Sequence, residues 1–237
     1  MLYGITPIKT IATYGATAER LRQEITLGLI APSSKLPAER RFADDLGVAR
    51  ITLREALKML DAEGYLDIRR GASGGAFIVD EDRLRAISLA QLHKSQAGCL
   101  RALEFWRINQ LACARFAAVR RTPADLKRMR EVFAVLREDK PDYDRRRAES
   151  ELCLAVAMAS GNVWLLNAIH DSLAASFLPF VEVESQDDHF PLEAVDQLIV
   201  AIQSNDKSLA DAQMDRICCV FAGRFKSILM GRNVRSI

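Results

Sequence analysis

Between Arg50 and Lys58 the chain sets Arg50, Thr52, Arg54 and Lys58 beside a tight apolar stripe made of Leu53, Leu57 and Leu60. Spacings of three and four put the stripe on one face of a helix and leave the polar residues free to meet a partner. Such side chains bind; they do not break bonds. Catalysis would need a nucleophile with a base and an orienting group, or a metal. Cys153 has no foreseeable histidine partner, and the sequence contains no Ser-His-Asp or phosphate-loop pattern. The adjacent Cys218 and Cys219 point two ways on a helix and cannot clamp a metal alone. An enzyme is not expected.

The bulk properties agree with a binding protein and add little else. The 237 residues are 49% apolar and 27% charged, with room for two modest domains. The formal net charge is +2, and residues 1–80 hold 11 Lys/Arg against 10 Asp/Glu, a difference of +1. The position of the cations, not their number, must therefore carry any case for a nucleic-acid partner. No uncharged apolar run approaches the roughly 20 residues needed to cross a bilayer. Met1–Lys9 lacks the basic start and apolar block of a signal peptide, so the cytoplasm is the expected compartment. The five cysteines, an odd set without C-x-x-C spacing, read as reduced core residues.

Several elements must hold the cations in place. Leu21, Ile25 and Leu29 recur every fourth residue and predict a helix over Thr17–Ile30. A short helix is expected from about Pro37, with Ala43 and Leu46 facing inward and Gly47 ending it. The next runs from Ala49 to about Glu63, where Gly64 stops it. Two helices joined by a tight Gly-Val turn have helix-turn-helix geometry. The period then changes: Tyr65–Arg69 and Ala76–Val79 alternate as strands around a glycine-rich turn, a hairpin placed as a wing.

The run Lys35-Leu36-Pro37-Ala38-Glu39-Arg40, then Leu46-Gly47-Val48-Ala49-Arg50, Leu53-Arg54-Glu55-Ala56-Leu57 and Glu63-Gly64, resembles the signature of the GntR superfamily. The resemblance implies a winged helix-turn-helix over residues 1–80 that binds double-stranded DNA. It implies operator contacts from Arg40, Arg50 and Arg54, a backbone contact from Thr52, and a wing tip at Arg70 and Gly71. Arginine suits this role because its planar fork takes guanine bidentately or grips a phosphate. Ala49 and Ile51 depart from the family's small polar residues. Their lost hydroxyls predict weaker binding, or a thymine-methyl contact from Ile51.

Residues 81–98 read as a linker in which Ile87, Leu89 and Leu92 can share one short helix. Everything from Cys99 onward reads as helix. Thr122-Pro123-Ala124-Asp125 is a strong helix start, Gly161 and Pro179 are breaks, and Pro191 and Asp206 open the last two helices. The expected fold is mainly α: a winged head followed by an all-helical antiparallel bundle over 99–237. Leu103–Arg107, Ala117-Ala118, Ala159-Ser160-Gly161-Asn162 and Ala201-Ile202 resemble the FCD effector domain of FadR-type members.

Many members of that subfamily bind a divalent metal through an Asp and three His. Aligned on Ala159–Asn162, Glu149 falls at the Asp, and Cys153, Val195 and Ile217 fall at the histidines; His93, His170 and His189 lie elsewhere. No metal cofactor is expected from this donor set. The resemblance then implies an effector site at Arg107, Glu149, Cys153 and Asn162, with Arg107 gripping an organic or fatty acid. Two alternatives stand beside it: Arg107 pairs with an acid such as Glu149 and the pocket is vestigial, or Cys153 senses oxidants. The resemblance also implies a homodimer on a palindromic operator, most simply a repressor.

Overall fold

The computed structural model describes residues 13–71, 74–138, 142–176 and 190–229. The chain begins with α1 (Thr13–Thr26), α2 (Glu39–Leu46) and α3 (Arg50–Ala62), followed by strands β1 (Leu66–Arg69) and β2 (Gly75–Ile78). The head buries Leu21, Ile25, Phe42, Leu53, Leu57, Leu60, Leu66 and Ile78 in one core. The apolar stripe of the third helix is what closes it.

Local chemistry explains the boundaries. α1 stops at Thr26 because Gly28 takes a left-handed φ of +73°, four residues before the expected end at Ile30. Leu29, the last member of the predicted stripe, instead packs partly buried against the second core. Pro37 lies outside α2, which begins at Glu39 with Ala38 as an uncapped N-cap. Gly47 (φ +65°) ends α2, and its own N–H closes the last turn on Ala43 and Asp44 carbonyls. β1 and β2 pair antiparallel with Asp67 opposite Phe77. On the other edge of β2, Lys35 bridges Phe77, and the Leu36 N–H donates to the Ala76 carbonyl at 2.9 Å.

The segment 81–98, expected as a linker around a short helix, contains a helix of 14 residues and the first residues of the next. α4 (Glu81–Lys94) opens at Asp80, whose side chain accepts from the Arg83 N–H, and ends on His93 and Lys94. Acid first and base last complement the helix dipole. Its buried face, Leu84, Ser88 and Leu92, is divided: Leu84 joins the head core and Leu92 the bundle core. α4 is thus a strut held at both ends.

The bundle consists of α5 (Gln96–Arg120), α6 (Pro123–Arg137), α7 (Asp142–Ala159), α8 (Val163–Ser176), α9 (Leu192–Gln203) and α10 (Lys207–Leu229). Thr122 and Asp125 form a full capping box at the start of α6. α5 is the central helix. It runs antiparallel to α10, with Arg107–Asp215 at 2.6 Å and Arg115–Asp211 at 3.4 Å. It runs parallel to α7, with Gln110 donating to the Cys153 carbonyl and Arg120 to that of Ser160, each at 3.0 Å.

Head and bundle meet where α1 ends. Leu27 is fully buried and belongs to the bundle core, although it follows a head helix. Its carbonyl accepts from Ser150 Oγ at 3.0 Å, and the Gly28 carbonyl accepts from Tyr143 Oη at 2.6 Å. A second tie joins α8 to α1: the buried His170 lies 3.0 Å from Arg20 Nη1 and 3.2 Å from Glu24 Oε1.

Candidate functional site

The exposed face of α3 is the first candidate site. Arg50 and Arg54 are exposed, with Thr52 half-buried between them. Ile51, 68% exposed, is an unusually bare aliphatic side chain for a helix whose opposite face is sealed. Arg54 donates to Glu39 Oε2 through both Nε (3.2 Å) and Nη2 (2.7 Å). The acid at the start of α2 thereby fixes the direction of the guanidinium on α3. Both partners are largely open to solvent, so the pair is held weakly and can be exchanged for a stronger anion. Arg40, on the first turn of α2, is exposed, as are Arg70 and Gly71 at the end of β1.

The structure adds two cations that the expected set of contacts lacked. Lys35 Nζ lies 5.5 Å above the Phe77 ring and Arg69 Cζ 4.3 Å from its centre, so one aromatic ring seats both. With Arg54 and Lys58 they line a cleft of about 480 Å³ between α3 and the wing. The alternation in β2 marks Phe77 as a strand residue. Nothing in the sequence places Lys35 across from it, because that pairing joins distant segments. Gly74 is needed at this corner: a Cβ there would stand 2.3 Å from the Arg69 carbonyl oxygen.

A second candidate lies inside the bundle. Glu149 on α7 is fully buried, and Arg224 on α10 donates to its Oε2 at 2.7 Å. Arg146 Nη1 lies 3.6 Å from the same oxygen. Trp106 on α5, also fully buried, meets the Phe221 ring edge-on at 5.2 Å. One turn further along both parallel helices, Gln110 of α5 holds the Cys153 carbonyl of α7. Three buried polar atoms in these two turns have no hydrogen-bond partner among the described residues: Trp106 Nε1, Gln110 Oε1 and Glu149 Oε1. Buried polar groups are nearly always paired, so three together single out this part of the bundle.

The expected effector residues do not all meet here. Glu149 and Cys153 do. Arg107 does not: its side chain is 46% exposed and binds Asp215 on the outer side of the α5–α10 pair, one position round the helix from Trp106. The anticipated partner Glu149 belongs to Arg224 instead. Asn162 caps α8, with its Oδ1 accepting from the N–H groups of Trp164 (3.0 Å) and Leu165 (3.4 Å). Its place in the Ala-Ser-Gly-Asn turn is explained by helix capping. Arg224 was missed because it lies 75 residues from Glu149 in the chain.

The residues at the subfamily's metal position do not fit a metal. Val195 and Ile217 are fully buried and donate nothing. Among the described residues no three His, Cys, Asp or Glu side chains cluster to hold an ion. One oxygen of Glu149 is already engaged by a guanidinium, and burial keeps the Cys153 thiol well above its usual range, a shift reinforced by nearby Cys218 and Glu149. His189 lies outside the described residues.

The model of the bacterial regulatory protein gntR family matches residues 13–78, and that of the FCD domain matches residues 110–218. The head thus matches the gntR family and the bundle the FCD domain. Curated relatives include the Exu regulon transcriptional regulator of Escherichia coli, 29% identical over 151 residues, and the Uxu operon regulator of Haemophilus influenzae, 26% identical over 154. Each alignment spans 63% of this chain, but only 57% and 55% of the respective relatives. The chain thus matches little more than half the length of these proteins. Among solved structures, E. coli McbR/YncC superposes with a TM-score of 0.52 at 17% identity, over 93% of this chain and all of that one. That likeness shows the fold, a winged head with a helical C-terminal domain. The families matched here are regulators rather than enzymes, and no described helix is long and apolar enough to cross a membrane.

Proposed function

We propose that this protein is a cytoplasmic transcription regulator, acting as a repressor, whose head binds a palindromic operator as a homodimer under control of a small effector in the bundle. The observation that carries the reading is the set of exposed arginines on α2 and α3, with Arg54 aimed by Glu39 rather than buried by it. Two-fold operators mirror two-fold proteins, which is the case for a dimer. Arg40, Arg50, Thr52 and Arg54 meet the major groove and its phosphates, and Arg70 with Gly71 reaches the neighbouring minor groove. Lys35 and Arg69 supply phosphate contacts at the base of the wing.

Coupling to the bundle has a short physical route. Ser150, which follows Glu149 on α7, hydrogen-bonds the Leu27 carbonyl just past the end of α1. A ligand that shifts α7 by a fraction of an ångström therefore acts on the head directly. It changes operator affinity only if it binds the two arrangements unequally. An acid gripped by Arg107 loses its support, since that side chain is engaged outside the bundle.

The redox alternative is disfavoured by burial: Cys153 is fully enclosed and its thiol is held protonated. Iodoacetamide on the native protein at neutral pH is expected to label the exposed Cys219 and spare Cys153. Rapid labelling of Cys153 would revive that alternative. The regulator reading is tested by selecting genomic fragments on the purified protein, with Arg54→Ala as control. A short palindrome enriched by the wild type and lost in the variant supports it. Equal recovery of unrelated fragments by both would refute it.

A further inference from the structure

α5 is apolar on two sides, yet the bundle covers only one of them. Its inner face buries Leu103, Trp106, Gln110, Cys113, Ala114 and Ala117. On the outer face Phe105, Ile108, Ala112, Phe116 and Val119 follow one another at spacings of three and four, a single row along the helix. The four larger members of that row are between 39% and 67% exposed, and no described element seals it. Isolated apolar side chains at a surface are ordinary. A row about 21 Å long is a patch, and a helix apolar on all sides is normally enclosed.

The row is complementary to itself. Large side chains stand at both ends and the small Ala112 near the middle, so a second α5 laid antiparallel meets the same shapes in reverse. With the two-fold axis level with Gln110, Ile108 of each copy rests on Ala112 of the other, and Phe105 meets Phe116. The stem of Arg101 then lies along Val119. A partner of different sequence would not require the two ends of the row to mirror each other. The edges agree in charge. Glu104, Arg107 and Arg115 run along the side of α5 that faces α10, where Arg107 binds Asp215 and Arg115 approaches Asp211. In this register each Glu104 lies across from Arg115 of the other copy, acid against base at both ends of the contact. On the opposite edge Arg120, 4.3 Å from the centre of the Phe116 ring, gives the row a polar rim.

We infer that this face of α5 is the seam of a symmetric dimer, packing antiparallel on the same face of a second copy with Ile108 over Ala112 at its centre. The inference deepens the homodimer reading above, on which it rests, by giving that dimer a surface and a register. The inner side of the seam helix has a use as well. Gln110 holds the Cys153 carbonyl of α7, and Ser150 of α7 holds the Leu27 carbonyl just past the end of α1. The seam therefore ties both heads to one axis, as a two-fold operator requires.

The test follows the full chain by sedimentation velocity and mass photometry from nanomolar to micromolar concentration. The wild type should be dimeric at micromolar concentration. Ile108→Glu should raise the dimer dissociation constant at least about a hundredfold. It should leave the far-ultraviolet circular dichroism unchanged, because the side chain lies outside the core. Ala112→Lys should do the same, and it carries the test if Ile108→Glu fails to fold. The double variant Ile108→Glu/Ala112→Lys sets opposite charges against each other at both symmetry-related contacts. It should associate at least about tenfold more tightly than either single variant. No such gain would overturn the antiparallel register and the inference with it. A dimer that both single variants leave intact would remove the seam and leave the homodimer reading standing. A wild type that stays monomeric at micromolar concentration, with another segment or another partner on the stripe, removes that reading and the seam together.

Discussion

Two arginine–glutamate pairs of this molecule, one on the head and one in the bundle, share one chemistry and sit in opposite surroundings. Arg54–Glu39 and Arg224–Glu149 both close at 2.7 Å. The first has side chains 51% and 39% exposed, the second 8% and 0%. In water the attraction is screened and its net worth is slight, so Glu39 aims Arg54 without holding it. Inside the bundle neither charge can be left alone, so each makes the other obligatory. On the proposed reading the first pair leaves a cation free to meet DNA, whereas the second keeps two buried charges matched.

Separating the members of the buried pair is the most forceful way to break this comparison. Arg224→Met, which leaves Glu149 charged and enclosed, should cost about 3–5 kcal/mol in urea unfolding. Combining it with Glu149→Leu should restore part of that loss, because the two charges leave together while the buried Arg146 keeps its own. If the single variant costs nothing, the pair is not the obligatory one described here. At the surface, Arg54→Ala should leave the melting temperature almost unchanged. It should lower affinity for the selected operator by about ten- to a hundredfold, read by fluorescence anisotropy.

A smaller change sharpens the account of the DNA-facing side. Ala49 has the extended backbone of an N-cap (φ −68°, ψ 145°) but no side chain to accept from the first turn of α3. Ala49→Ser should stabilise the head by about 1 kcal/mol and tighten operator binding, as the lost-hydroxyl argument requires. A destabilised serine variant would mean that the alanine is demanded by packing.

The smallest effect concerns pH and the joint between the two regions. Burial would raise the Glu24 carboxyl, but the hydrogen bond from His170 and the Arg20 charge outweigh it and hold the group below its ordinary value. A carboxylate depressed on folding adds stability above its unfolded pKa, and that contribution fades as pH falls through the folded value. The melting-temperature gap between wild type and Glu24→Gln should therefore be full near neutrality and shrink below about pH 4.5. A gap that widens on acidification would reverse the sign assigned to this tie.

What the sequence disclosed follows the range over which each feature is encoded. The stripe of α3, the Gly47 cap and the Thr122–Asp125 capping box are local, and each could be read from a few neighbouring residues. The full length of α4 was harder to read than its existence because its apolar face is shared: Leu84 serves one core and Leu92 the other, so neither half looks sufficient alone. At the sites, Glu149 and Cys153 could be placed by counting from a turn. Arg224 could not, because α10 reaches Glu149 only through the bundle's topology. Arg107 was misplaced by one position of helical rotation: Trp106 faces in, and its neighbour must face out.

The salt dependence of operator binding, measured for the wild type and Arg54→Ala on both the selected fragment and a scrambled one, tests the central claim most directly. The account predicts that the wild type prefers the selected fragment by at least about a thousandfold and that Arg54→Ala erodes this ratio. Both proteins should keep a salt-sensitive affinity for the scrambled fragment, because Arg40, Lys35 and Arg69 still meet phosphate. An unchanged ratio would contradict the assignment of the α3 face as the reader of DNA.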